Sequence, residues 1–393
     1  MKKTVLVLLC VALLAIFAQS FCGVAVAEEL DNNYENSETY LFLKEFVTSC
    51  PNRNSVEGER VAAHWLAQKF SEVLGYDVSP TPFGNGNAIH GYNVEGVLKS
   101  SEKTDKQIIV GAHLDSVGEG ANDNASSITA MYLAMKRLAN ENLPFNVVFV
   151  AFGGEEQGFL GSKYYVENMN SNDRKNTLVM FNLECVGGGD NLYVFCENKK
   201  TDLADLILKN ATGNLLEKPH AVGVFPFDLY GYGYFETVQG SDHTPFRLLG
   251  IPTAMFFAGN FSAWNFVESL DKSKCVMNSN SDKLETMEEF WGAEFFAKTE
   301  TVANTLCATF LDENFLPVAE NAANQLVNNA LYFNVTWAVV AVVVLLAFTV
   351  LFGWLHYRKL QKNAILGTAE AKERTEIFKK PEAEDIFDFN DKK

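Results

Sequence analysis

Seven acidic and imidazole side chains in the middle of the chain stand in five short motifs, most of them beside glycine or other turn-forming residues. They are His113 and Asp115, Asp123, Glu155 and Glu156, Glu184, and His243. Imidazole and carboxylate are ligands that suit zinc. Several carboxylates placed side by side without a counter-charge are costly, and a pair of divalent cations would neutralise them. These residue types therefore predict a metal centre wherever the fold brings the five motifs together.

Each motif taken alone also has a purely structural interpretation. A His-x-Asp triplet is often a surface or helix-capping pair, and two successive glutamates often begin a solvated helix. Asp123, which precedes two small residues, could be only a helix N-cap. The other histidines have no comparable context, and we assign them to structural positions: His64, His90, His220 and His356. The chemical interpretation depends on the motifs occurring as a set.

Three of the motifs follow short apolar runs whose β-branched content is typical of buried strands. The runs Gln107–Val110, Asn146–Phe152 and Thr177–Leu183 lead to His113, to Glu155 and Glu156, and to Glu184. In open α/β sheets, ligands gather beyond the carboxyl ends of the strands. We therefore expect these three motifs to meet at one edge of a sheet.

Strands and helices alternate along the predicted exported part of the chain. Further strands are predicted at Leu192–Phe195 and Thr253–Phe257, and helices at Ser55–Leu74, Ser126–Ala139, Leu160–Met169, Asp202–Leu216 and Met287–Phe310. This alternation predicts an α/β fold, a three-layer sandwich around a central mixed, mostly parallel sheet. Residues 28–315 contain no linker or repeat and suit one large domain.

Both ends of the chain carry apolar segments. Lys2 and Lys3 precede an uncharged run that ends at Ala27, which predicts a signal peptide over residues 1–27, with an uncleaved anchor as the alternative. Val335–Leu355 is uncharged and long enough, at roughly 30 Å as a helix, to cross a membrane. Basic residues follow it directly, so residues 356–393 are expected to be a cytosolic tail without regular structure.

The resulting arrangement is that of a single-pass type I membrane protein with an extracytoplasmic domain. Residues 316–334, rich in asparagine and alanine, are predicted to form a stalk between that domain and the membrane. The net charge of −17 and a pI near 4.9 argue against a nucleic-acid partner. Oligomeric state is left open by the sequence.

In their order and spacing, the five motifs resemble those of the two-zinc exopeptidases of peptidase family M28, which include bacterial aminopeptidases and plasma glutamate carboxypeptidase. The resemblance covers roughly residues 92–257. It implies two zinc ions per chain, a peptide substrate and cleavage at a chain end, with aminopeptidase as the first reading. It assigns His113 and Glu184 to one zinc, Glu156 and His243 to the other, and Asp123 as the bridge between them.

The same resemblance gives roles to three further features. Asp115 would orient the His113 ring. Glu155 would be the general base that deprotonates a water shared by the two ions and passes the proton to the leaving amine. The Asp123–Asn124 bond would be a cis peptide. Glu184 is a departure, because most members have aspartate there, and its side chain is one methylene longer.

Other interpretations remain open. Tyr230 and Tyr232 are candidates for stabilising an oxyanion, with packing as the alternative. A carboxypeptidase, a dipeptidase or a one-zinc glutaminyl cyclase would share the fold, although the Gly158–Ser162 continuation disfavours the cyclase. A non-catalytic receptor-like or chaperone-like ectodomain is the remaining class. Zinc-competent side chains at all five ligand positions argue against it.

Overall fold

The protein was analysed as a computed structural model, which describes residues 33–196, 202–211, 216–217, 240–260 and 267–377. The predicted signal peptide and the two candidate tyrosines, Tyr230 and Tyr232, lie outside the described residues. The chain divides into two compact units, Met1–Val327 and Asn328–Lys393.

Eight strands of the described residues form one mixed sheet in the order β1-β2-β4-β3-β5-β8-β6-β7. They are β1 Thr81–Asn85, β2 Ala88–Leu98, β3 Gln107–His113, β4 Asn146–Phe152, β5 Thr177–Glu184, β6 Asn191–Cys196, β7 Leu216–Glu217 and β8 Thr253–Gly259. Four of the seven pairings are parallel, and these include all three pairings among the central strands β4, β3, β5 and β8. The predicted mixed sheet with a parallel centre is confirmed.

The sheet is apolar on both faces. Ile108 and Val110 of β3 belong to the larger core cluster, whereas Ile109 between them belongs to a second one. Because successive strand side chains point to opposite faces, the two clusters lie on the two sides of the sheet. The central strands are therefore continuous apolar runs, as expected for strands covered on both faces. This is the predicted three-layer arrangement.

Ten α-helices are described. They are α1 Glu38–Ser49, α2 Val56–Leu74, α3 Ser127–Leu138, α4 Leu160–Asn168, α5 Ser171–Asn176, α6 Leu203–Lys209, α7 His243–Leu248, α8 Leu284–Trp291, α9 Ala293–Leu311 and α10 Phe315–Ile377. The single helix predicted over Met287–Phe310 is two helices, which Gly292 separates with a φ of 53°. A backbone in that region is accessible to glycine at little cost, so the break occurs there.

The sheet edge formed by β1 and β2 was not predicted. β2 contains glycines where an alternating pattern of larger side chains would have marked a strand. Tertiary packing explains them, because a Cβ at Gly91 would lie 2.4 Å from Glu59 Oε2, and one at Gly96 would lie 2.7 Å from Leu74 Cδ1. These glycines let α2 lie close against the strand.

Helix α10 begins at Phe315, which is buried together with Ala319 and Ala322. The start of the predicted stalk is thus helical and packed within the first unit. In the second unit, the 31 residues Val339–Ala369 are exposed, and their length and composition would allow them to cross a membrane. The tail was expected to lack regular structure, which is wrong as far as Ile377, because residues 359–377 are rich in strong helix formers.

Candidate metal centre

Three of the predicted ligands converge beyond the carboxyl ends of the central strands. His113 Nε2 lies 3.1 Å from Asp123 Oδ1 and 3.2 Å from Glu184 Oε1. One ligand atom from each of the three lies within 4.8 Å of the other two, and all three residues are buried. A neutral imidazole nitrogen that faces two carboxylate oxygens can donate a hydrogen bond to only one of them, which leaves the other oxygen without a donor from the ring. A cation between the three groups would satisfy all of them.

Parallel pairing of β3 with β5 brings His113 and Glu184 together. Each is the last residue of its strand, and the two strands are hydrogen-bonded neighbours. Asp123 comes from a turn at Ala121–Ser126 just before α3, and its bond to Asn124 is cis, as predicted. The Asn124 amide ties this turn to the end of β5, donating to Leu183 O at 3.0 Å and accepting from the backbone N–H of Cys185 at 2.9 Å.

Asp282, which the motifs did not reveal, holds the Asp123 turn from the opposite side. Its Oδ1 and Oδ2 accept the backbone N–H groups of Asn122 and Asp123, each at 2.8 Å. Burial raises the pKa of Asp282 to about 7, and these two hydrogen bonds act against that rise. Asp282 therefore positions Asp123, a predicted ligand, through its backbone. The signal in sequence is a single aspartate about 160 residues away, which no local pattern distinguishes.

Arg53 fixes the loop between His113 and Asp123. Its fully buried guanidinium donates to four backbone carbonyls, those of Leu114 at 2.8 Å, Cys50 at 3.1 Å, Glu119 at 2.7 Å and Gly120 at 3.0 Å. Three of these carbonyls belong to the loop, so one side chain sets its path. Sequence reasoning missed Arg53, because an arginine between two helices has no motif context.

Asp115 contacts the His113 ring through its backbone and its side chain. The His113 ring has its shorter contact with the Asp115 backbone carbonyl, at 3.0 Å from Nδ1, while the Asp115 carboxylate lies 3.5 Å away. A proton on Nδ1 that is donated to this carbonyl leaves Nε2 available as a ligand. The carboxylate accepts the backbone N–H groups of Glu155 and Glu156, both at 3.1 Å. Asp115 thereby joins the His113 motif to the two glutamates.

The electrostatics of the site favour a cation. Burial lowers the pKa of His113, but the neighbouring carboxylates, Glu184 first among them, raise it well above its ordinary value. Burial raises the pKa of Glu156 to about 8, with Asp123 acting in the same direction. Burial raises the pKa of Glu155 well above its usual range, and Glu184 adds to this effect. A site that holds protons this strongly also favours a bound metal ion, so the residues present fit the zinc that the resemblance implies.

The Gly-Ser-Asp-His turn contributes Ser241 to the site, and His243 does not join the group of three ligands. Ser241 Oγ donates to Glu184 Oε2 at 2.6 Å. His243 is the first residue of α7 and is fully buried, and its pKa is lowered to about 3 by burial and by Arg247. The amide of Asn278, from the loop before α8, lies beside the Glu156 carboxylate.

Comparisons with known proteins identify the family to which the chain is similar. The model for peptidase family M28 matches residues 93–304, slightly more than half of the chain. Aminopeptidase YwaD of Bacillus subtilis is 31% identical over 173 residues, which are 43% of this chain and 36% of the relative. A glutamate carboxypeptidase 2 homolog of Caenorhabditis elegans is 26% identical over 190 residues, 44% of this chain and 25% of the relative. The chain thus spans about a third or less of the length of these two relatives.

Two solved structures share the fold. LapB from Legionella pneumophila has a TM-score of 0.51 at 17% identity, over 73% of this chain and 74% of that one. The LapA aminopeptidase from the same organism has a TM-score of 0.50 at 18% identity, over 72% of each chain. The resemblance read from the motifs is confirmed by the family match. The chain belongs to peptidase family M28.

Proposed function

We propose that this protein is a zinc-dependent exopeptidase that releases the amino-terminal residue of peptides. The observation that carries the proposal is the convergence of His113, Asp123 and Glu184, one from each of three separate segments, within 4.8 Å of one another. A buried imidazole and two buried carboxylates match the ligands of catalytic zinc sites. Membership of a peptidase family and the aminopeptidases among its relatives support the reaction class.

Two zinc positions are proposed. His113 and Glu184 would hold one ion, Glu156 and His243 would hold the other, and Asp123 would contact both. When bound, zinc supplies Lewis-acid activation of a water molecule and of the scissile carbonyl. The Asp115 backbone carbonyl keeps the His113 proton on Nδ1, and Ser241 fixes the second oxygen of Glu184, so both ligands present one defined atom.

Glu155 is proposed as the general base. Its backbone N–H donates to the Asp115 carboxylate, and this hydrogen bond fixes the backbone position of Glu155 next to Glu156. Burial raises the pKa of its carboxyl, which brings its proton affinity closer to those of the water and the amine with which it would exchange the proton. The carboxylate would accept the proton of the attacking water and deliver it to the nitrogen of the leaving amine. Asp242, fully buried with a pKa raised to about 7 by burial, contributes negative charge near Glu155.

A carboxypeptidase is the second candidate, favoured by the similarity to the glutamate carboxypeptidase 2 homolog. Both reactions need the same metal centre and differ in which charged end of the peptide the site accepts. Peptides with a blocked amino or a blocked carboxyl end separate them. The exported, type I orientation is proposed on the apolar stretch within α10 and the basic residues that follow Leu355.

The test uses the full chain purified in detergent, with zinc content and hydrolysis of an amino-acid anilide as measurements. Glu155→Gln is expected to lower kcat by about 10²- to 10⁴-fold, the range for a lost general base, with zinc content unchanged. Glu167→Gln, an exposed glutamate on α4, is the matched control and should leave both unchanged. Full activity in Glu155→Gln would remove Glu155 from this role, and protein that takes up no zinc would refute the proposal.

A further inference from the structure

Glu59, in the first turn of α2, is completely buried against the turn that leads from β4 to Glu155. Its Oε2 accepts the backbone N–H of Tyr92, in β2, at 3.3 Å. The same oxygen occupies the space beside Gly153, where an added Cβ would lie 2.3 Å from it. The absence of a side chain at Gly153 therefore lets the Glu59 carboxyl reach the backbone at the end of β4.

The two oxygens of this carboxyl have different surroundings. Burial, with the charge of Asp115 acting in the same direction, raises the pKa of Glu59 to about 8, and hydrogen bonds from the backbone N–H groups of Tyr92 and Gly154 act against that rise. Oε1, in contrast, is buried and has no hydrogen-bond partner in the described part of the chain. A buried polar atom without a partner is costly, so the fold keeps this carboxyl in spite of one unfavourable atom. Departures of this kind are common beside functional sites.

The turn after β4 is held from both sides, because β2 and β3 flank β4 in the sheet. On the side of β2 and α2, the backbone N–H of Gly154 meets Glu59, and Asn93 Oδ1 accepts the backbone N–H of the preceding residue at 3.1 Å. On the side of β3, the Asp115 carboxylate accepts the backbone N–H of Glu155 at 3.1 Å. Since Gly154 directly precedes Glu155, a shift of the Gly154 backbone would turn the Glu155 side chain.

We infer that Glu59 is a positioning residue for the proposed reaction, which holds the Gly154 backbone and thereby sets the direction of the Glu155 carboxylate. Among the described residues, the hydrogen bonds of Glu59 go to backbone groups and to none of the predicted ligands. Glu59 therefore acts on the general base and leaves the metal positions to other residues. This inference rests on the proposed function and adds to it a group from a distant segment of the chain.

Glu59→Met tests this role, because methionine has a similar length and offers no acceptor to the Gly154 N–H. The full chain in detergent is assayed with an amino-acid anilide, and kcat is expressed per molecule of zinc-loaded protein. We expect kcat to fall by about 10- to 100-fold, the effect of a small misplacement of a reacting group, with KM and zinc content unchanged. Glu59→Gln keeps an acceptor oxygen and should retain most of the wild-type kcat. Glu72→Met, at an exposed glutamate of the same helix, is the matched control and should equal the wild type.

The Glu155→Gln background separates positioning from a general loss of structure. That protein has no general base to misplace, so adding Glu59→Met should change its residual kcat by less than about twofold. A purely structural role predicts a loss of the same size in both backgrounds. Glu59→Leu lacks the acceptor as well and carries the same expectations, so the test stands if the methionine variant does not fold.

Four results would overturn the inference and leave the proposed function standing. They are equal losses in both backgrounds, wild-type kcat in Glu59→Met, a Glu59→Gln variant as impaired as Glu59→Met, and loss of folding in both acceptor-free variants, which would show a structural role. Full activity of Glu155→Gln, or a wild-type protein that takes up no zinc, would overturn the proposed function together with this inference. The two failures are therefore distinguishable.

Discussion

Replacement of Arg53 by methionine tests whether one buried side chain organises the path from His113 to Asp123. Methionine has a similar length, fills the space over the Phe46 ring, which lies 4.7 Å from the Arg53 guanidinium carbon, and offers no donors. The substitution removes all four hydrogen bonds to backbone carbonyls. Its effect therefore reports on those four contacts more than on lost volume.

The magnitude follows from the fate of the carbonyls. A buried acceptor that loses its donor costs about 1–3 kcal/mol, and the three carbonyls of Cys50, Leu114 and Gly120 make buried contacts with Arg53. Removal of the desolvated guanidinium returns part of this cost. We expect the free energy of unfolding to fall by about 3–5 kcal/mol, a large share of the 5–15 kcal/mol typical of a folded protein. Zinc affinity should fall as well, because the loop carries Asp115.

Urea unfolding followed by tryptophan fluorescence measures the change in stability, and calorimetry measures zinc affinity. Arg60→Met is the matched control, since Arg60 is an exposed arginine on α2 whose ion pair with Glu57 is solvated. Such a pair contributes about 0–1 kcal/mol. Two results would refute the assignment of Arg53 as the organiser of this loop. One is that Arg53→Met destabilises the protein no more than Arg60→Met does. The other is that Arg53→Met lowers the free energy of unfolding without any change in zinc affinity.

Two further substitutions probe buried carboxyl groups. Asp282→Asn leaves one oxygen for two backbone N–H groups and should weaken zinc binding by about 10- to 100-fold in calorimetry. The exposed control Asp271→Asn should leave zinc affinity unchanged. Equal zinc affinities of Asp282→Asn and the wild type would contradict the role of Asp282. Burial raises the pKa of Glu59 to about 8, so the contribution of Glu59 to stability is fullest below the ordinary carboxyl pKa near 4.5 and is lost as pH rises towards 8. Glu59→Gln lacks this titration, so its stability relative to wild type should rise between pH 5.5 and pH 8 by up to a few kcal/mol in urea unfolding; a difference independent of pH would contradict the assignment.

The central sheet was predictable because its signals are local. β3, β4 and β5 are uninterrupted apolar runs, and burial on both faces makes such runs stand out without any knowledge of neighbouring segments. β2 was missed because Gly91 and Gly96 are required by close packing against α2, a helix that lies elsewhere in the sequence. The break at Gly292 was missed for a related reason, since both sides of it are helical and only one backbone angle marks the change.

The sequence by itself indicated the proposed metal ligands at strand ends, His113 and Glu184, and the Asp123 turn, because residue type and a strand end are enough to place a candidate ligand at the edge of a parallel sheet. Only the tertiary structure decided which other groups surround and hold the site. Asn278 and Asp282 arrive from a loop more than 90 residues beyond Glu184, and Arg53 arrives from a segment 60 residues before His113. Contacts between residues so far apart depend on chain packing, and a local pattern carries no record of them.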